Sequence, residues 1–261
     1  MARAKAVVMI GHSHLGPIRG GLSLMAPKSR RGAEGHFFVH DVWAKRTPYA
    51  DSAPEGGVAF NAEVMRLIDE VVPRDMPRCY VGTLGGNGHV LLALARHPRP
   101  FDFILPERPE LPRDEAAELL PYEFFLEALK PLMMPYVWQM VAFRQAIGES
   151  FLCVETPPPY GDDSYVATHL GDYVPNPDAI VSRVSRYKCW RAHSYLLRFF
   201  CRHNDVDFLP APRESMDEEG FLKREFYGAD ATHGNDRYGQ LVVRQIEEKY
   251  DLAFKDVRVF S

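Results

Sequence analysis

Ala6-Val7-Val8-Met9-Ile10-Gly11-His12-Ser13-His14-Leu15-Gly16 is the stretch on which the fold turns. An unbroken apolar run ending at a glycine predicts a short strand buried on both faces, the form that strands take in a parallel sheet covered by helices. After Gly11 the chain becomes polar and then apolar again at Leu15, so a turn carrying His12, Ser13 and His14 is expected at the strand's carboxyl end.

Working outward, the same alternation of short apolar runs with helical stretches recurs and argues for an α/β fold with a parallel sheet. Further strands are expected at residues 36–39, 79–84, 151–155 and 206–209, which makes a mostly parallel sheet of five strands. Residues 63–72 place Val64, Leu67, Ile68 and Val71 at helical spacing before Pro73, and that proline stops the helix. Helices are also expected from residue 90 to about 95, from about 185 to 203 and from about 236 to 250. Residues 46–57 read as loop.

The chain's 261 residues suit one sizeable domain spanning 1–261, and 46% hydrophobic with 25% charged residues is an ordinary globular composition. A net charge of -4, with Lys and Arg scattered, excludes the basic field that nucleic acid requires. The apolar run near the amino end is too short for a signal-peptide core or a membrane span, so a cytoplasmic protein without membrane association is expected. Cys79, Cys153, Cys189 and Cys201 show no C-x-x-C spacing and read as four free buried thiols.

Residues 98–148 exceed what a crossover needs and are rich in Pro, Phe, Met and Tyr, with an acidic helix start near Asp114. Phe124, Phe125, Met133, Met134, Tyr136 and Trp138 there are either a lid or pocket wall for an apolar group, or ordinary helix packing or a face for oligomer formation.

Three short signals fall where an open α/β sheet places its ligands. Ser13, on the turn after the first strand, is a candidate nucleophile once a base removes its proton, or a loop serine that bonds the backbone. Gly85-Gly86-Asn87-Gly88-His89 follows the third strand; the Asn87 amide is a candidate oxyanion donor, or a turn asparagine. Asp230-Ala231-Thr232-His233 precedes the last helix. Three residues apart on a tight turn, the carboxylate can hold one imidazole nitrogen and leave the other free, although chance Asp-x-x-His pairs are common.

Taken together, residues 6–16, 80–88 and 230–239 resemble, in order and position, the sequence blocks of the SGNH (GDSL-like) hydrolase family, and Pro157-Pro158 resembles that family's fourth-strand exit. The resemblance implies a three-layer α/β/α, flavodoxin-like fold. It also implies an esterase that cleaves an acyl or acetyl ester, including esters on carbohydrates, through an acyl-enzyme and without a cofactor. By it Ser13 is the nucleophile, His233 the general base and Asp230 its orienting acid. The oxyanion donors are then Ser13 through its N–H, Asn87 and Gly57, with Gly56 next. The chain departs from the family at His12 and His14, where Asp and Leu are usual, and at Gly88, where Asp is common. His12, His14 and His89 are read as substrate-binding residues of the pocket, or as turn histidines.

Other readings use the same residues. His12, His14, His89 and His233 with Asp230 resemble the ligands of metal-dependent phosphoesterases, but in reversed chain order. An acyltransferase would use the same triad and deliver the acyl group to an alcohol instead of water. A non-catalytic binding protein would leave the triad idle.

Overall fold

The computed structural model describes residues 3–28, 32–41, 48–52, 57–170 and 180–261. In chain order the elements are β1 (Lys5–Gly11), α1 (Leu15–Ser23), β2 (Ala33–His40), β3 (Ala50–Ser52), β4 (Val58–Phe60), α2 (Ala62–Val71) and β5 (Arg78–Thr83). There follow α3 (Val90–Ala93), β6 (Phe101–Phe103), β7 (Glu118–Leu120), α4 (Tyr122–Ile147), β8 (Leu152–Val154) and α5 (Asp163–His169). The chain closes with α6 (Arg183–His203), β9 (Asp207–Leu209), α7 (Asp236–Tyr250) and β10 (Leu252–Phe260).

β1 behaves as its apolar run predicts. Ala6, Val8 and Ile10 enter one hydrophobic core while Val7 and Met9 enter another on the opposite face, because successive side chains alternate across a strand. The first core is completed by α2, α4 and α6, and the second by α1, α5 and α7. The protein is therefore a three-layer α/β/α sandwich, the fold class expected.

The main sheet has six strands in the order β10-β2-β1-β5-β8-β9, and all adjacent pairs are parallel. The expectation of five strands is corrected by β10, which leaves α7 through Asp251 in the left-handed region (φ 50) and pairs with β2. Its Lys255 and Arg258 are exposed, as suits an edge strand, and they break the apolar pattern that marks the inner strands. From β1 the chain winds first toward β2 and later returns past β1 to β5. Such a reversal opens a crevice at the carboxyl ends of β1 and β5.

Three local expectations differ from the structure. Ala50–Ser52 is not loop but pairs antiparallel with Val58–Phe60; residues 42–47 and 53–56, Gly56 among them, lie outside the described residues. The helix expected at 90–95 is the single turn α3. No helix starts near Asp114: Pro106, Pro109 and Pro112 interrupt that stretch, which closes a small parallel pair, β6 with β7, before α4 begins at Tyr122. Of the aromatic and Met residues in this insert, Phe125 and Met133 are in the core, while Phe124 is 60% and Trp138 51% exposed. Among the described residues no helix is long and apolar enough to cross a membrane.

Candidate active site

Gly11 ends β1 at a φ of 151°, and a Cβ there would lie 1.9 Å from the Thr83 hydroxyl, so only glycine lets β1 and β5 run side by side into the crevice. The polypeptide then turns through His12 and Ser13, with Leu15 N–H donating to His12 O and Gly16 N–H to Ser13 O, and enters α1. Ser13 is half-buried, and its hydroxyl has no hydrogen-bond partner among the described residues.

The second turn leaves β5 through Gly86, held at φ 67° beneath the Tyr136 ring, which a Cβ would meet at 2.1 Å. It presents Asn87, half-buried and with a side chain that is unpartnered among the described residues, and His89, which is buried.

The third turn precedes α7, whose start is set by Asn235 accepting from the N–H groups of Arg237 and Tyr238. His233 Nδ1 and Asp230 Oδ2 are 2.6 Å apart. The other oxygen, Oδ1, accepts from the N–H groups of Thr232 and His233 at 2.8 and 2.9 Å. Burial opposes ionisation of Asp230, but the bond from His233 and the two N–H groups outweigh it and hold the carboxyl below its ordinary value. A proton on Nδ1 satisfies the carboxylate, so the lone pair is left on Nε2. Nε2 is buried and has no hydrogen-bond partner among the described residues.

These three turns meet. The His14 ring lies against the His233 ring, 4.5 Å between centroids. Asn87 and His89 line a small pocket with Ala231, Thr232 and the Pro157-Pro158-Pro159 exit of β8. The Ser13 turn thus reaches the base through His14, while the Ser13 hydroxyl and His233 Nε2 are not hydrogen-bonded to one another. Gly57 is exposed just before β4, has a φ of 91° and has nothing within 4 Å of where a Cβ would stand.

The histidines form a wider cluster than the sequence indicates. His12 Nε2 is 2.8 Å from Gln139 Oε1, and its ring meets Tyr49 and Tyr136 edge-on. His89 packs against His193 with 4.5 Å between centroids. His193, on the inner face of α6, is 0% exposed, and neither ring nitrogen of His14 has a hydrogen-bond partner among the described residues. Burial pushes His193 down to about 4. His14 and His89 are lowered well below the ordinary value by burial, reinforced by His233 at His14 and by His193 at His89. His12 is also lowered by burial, against the opposing bond to Gln139. The cluster is neutral around the base.

His193 and Gln139 were not recognisable in the sequence, since nothing in a helical repeat says which turn its residues will face; Tyr136, read there as pocket wall or ordinary packing, meets the His12 ring edge-on. Among the described residues no group of three or more His, Cys, Asp or Glu side chains is arranged to hold a metal ion, so His12, His14, His89, His233 and Asp230 do not assemble as such a group.

No protein-family model and no curated protein matches the chain. Two solved structures align with it over most of their length. One is a GDSL-like lipase of Bacteroides thetaiotaomicron, 10% identical, covering 95% of this chain and 87% of that one, with a TM-score of 0.39. The other is an acylhydrolase candidate of Bacteroides fragilis, 12% identical, covering 95% of this chain and 86% of that one, with a TM-score of 0.42.

Proposed function

We propose that the chain is a serine-dependent esterase of the SGNH (GDSL-like) hydrolase kind, acting on a small-molecule ester through an acyl-enzyme. The observation that carries this reading is the Asp230–His233 pair. Its bonded Nδ1 and its Nε2, unpartnered among the described residues, are those of a general base; the His14 ring beside Ser13 packs on it, and Asn87 lines a pocket with the neighbouring Ala231 and Thr232.

In the reaction the Ser13 hydroxyl gives its proton to His233 Nε2 as its oxygen attacks the ester carbonyl. Small movement of the serine turn brings the two into hydrogen-bond range, as such contacts tighten when substrate binds. The oxyanion is met by the Ser13 N–H and the Asn87 amide. Collapse expels the alcohol, which takes the proton from His233 and leaves the acyl group on Ser13. Water, deprotonated by the same nitrogen, then releases the carboxylic acid. Asp230 stabilises the imidazolium in both halves and holds the tautomer. His89 lines the cavity with Asn87 and would face the substrate, whereas His14 acts on the base itself. The cysteines are free thiols, three of them buried, which supports a cytoplasmic location.

The test is labelling with a fluorophosphonate probe, together with hydrolysis of small aryl esters. The parent protein is expected to label and to turn over, and Ser13→Ala to do neither. Hydrolysis by Ser13→Ala at the parental rate would refute the assignment.

A further inference from the structure

Two buried tyrosine hydroxyls, far apart in sequence, each clasp the main chain of one half of the site. Among the described residues β1 pairs with β2 only as far as Met9 opposite Val39, and on that side Gly11 has no strand partner among them. The Tyr49 hydroxyl takes that place: it accepts from Gly11 N–H at 3.0 Å and donates to Gly11 O at 2.9 Å. His40 Nδ1 stands 2.9 Å away. With its single proton given to Gly11 O, the phenol meets His40 as an acceptor. Gly11 lies two residues before Ser13, so the hydroxyl sets where the nucleophile's turn begins.

Tyr160 does the same for the base. The turn carrying Asp230 and His233 is closed at its neck by Gly228 N–H donating to His233 O at 2.8 Å. The Tyr160 hydroxyl accepts from that same Gly228 N–H at 2.8 Å and donates to His233 O. Its ring is stacked on Tyr227, 3.8 Å between centroids and 6° between planes. Its own carbonyl accepts from Arg186, a guanidinium also paired with Asp163. Both tyrosines are 1% exposed, and both hydroxyls are engaged with main chain.

We propose that Tyr49 and Tyr160 are positioning residues: their hydroxyls anchor the main chain from which the Ser13 turn and the His233 turn, respectively, approach one another for proton transfer. The proposal rests on the esterase reading, since the distance matters only if the two groups react. Misplacement of a reacting group by about 1 Å can cost up to a hundredfold in rate, and removal of one phenol oxygen permits part of such a shift.

The test compares Tyr49→Phe, Tyr160→Phe and the control Tyr227→Phe, which removes a hydroxyl from the same neck that contacts Gly161 N–H rather than His233. Each of the first two is expected to lower kcat roughly tenfold with KM within about twofold, and the control to leave kcat within about twofold while lowering the melting temperature. The downfield NMR resonance of the His233 Nδ1 proton is expected to move in Tyr160→Phe and to stay in place in Tyr49→Phe. If a Phe variant does not fold, site-specific 3-fluorotyrosine at that position, whose more acidic hydroxyl accepts more weakly from the Gly11 or Gly228 N–H, is expected to lower kcat in the same direction by a smaller factor. Parental kcat in both Phe variants, or a kcat loss in all three that simply follows melting temperature, would overturn the proposal. Ser13→Ala separates the two levels: if it is inactive while the Phe variants match the parent, the esterase reading stands and this inference fails. If it is as active as the parent, the esterase reading itself is wrong, and the NMR arm still reports whether Tyr160 holds His233.

Discussion

The His14 ring lies against the His233 ring at 4.5 Å between centroids, tilted by 40°, so the residue after the proposed nucleophile packs on the proposed base. A neutral ring there shields His233 from water and fixes its plane without adding a competing charge. His14→Phe, which retains a ring, is expected to keep kcat within about threefold, whereas His14→Ala should lower it about tenfold through a looser base. Equal losses in the two variants, measured on one aryl ester at pH 7, would show that the ring nitrogens rather than the ring are required.

Asp230→Asn replaces the acceptor facing His233 Nδ1 with an amide that can present a donor and favour the wrong tautomer. A fall in kcat on the order of 10³ to 10⁴ is expected, with the fold retained. Steady-state kinetics beside circular dichroism checks both parts.

Asn87→Ala removes one oxyanion donor and is expected to lower kcat about a hundredfold to a thousandfold, with little change in KM. Its half-buried side chain makes no hydrogen bond among the described residues, so the melting temperature should stay within a few degrees. A loss seen only in KM would instead make Asn87 a ground-state binding residue.

Gly86→Ala would force a Cβ into the Tyr136 ring at 2.1 Å on a residue whose φ is 67°. The strain is expected to cost about 1–3 kcal/mol and to displace Asn87 with it. Both a lower melting temperature and a lower kcat are therefore expected; a variant of parental stability would contradict the packing at this turn.

Acid should weaken the fold through the histidine cluster. His193, pushed down to about 4 by burial, stays neutral in the folded chain while an unfolded histidine binds a proton below about 6.5. The unfolded state thus gains protons first, and stability falls as pH drops from about 6.5 toward 4, by on the order of 3 kcal/mol for this group. His14 and His89 are shifted in the same direction. Glu155, pushed up by burial, works the other way, since its proton is held more tightly in the folded state. His193→Leu isolates one contribution: urea unfolding between pH 7 and 4 should show a shallower pH dependence than the parent, and an unchanged slope would remove His193 from this account.

What residues 6–16 and 230–233 determine by themselves is local. A continuous apolar run makes a strand buried on both sides, a glycine ends it, and three-residue spacing on a turn lets Asp230 reach His233 Nδ1; each depends on neighbours along the chain. The strand count failed at β10, where Lys255 and Arg258 on an exposed edge erase the apolar pattern and only pairing with β2 defines the strand. Gly57 precedes a helix-forming stretch as expected, yet nothing along the chain could say that it would end up exposed at β4. His193 reaches His89, Tyr136 and Gln139 reach His12, and Tyr160 reaches the His233 carbonyl because helices and strand exits pack across the crevice. Periodicity tells which face of an element is buried; which distant turn that face meets is settled by the packing of whole layers.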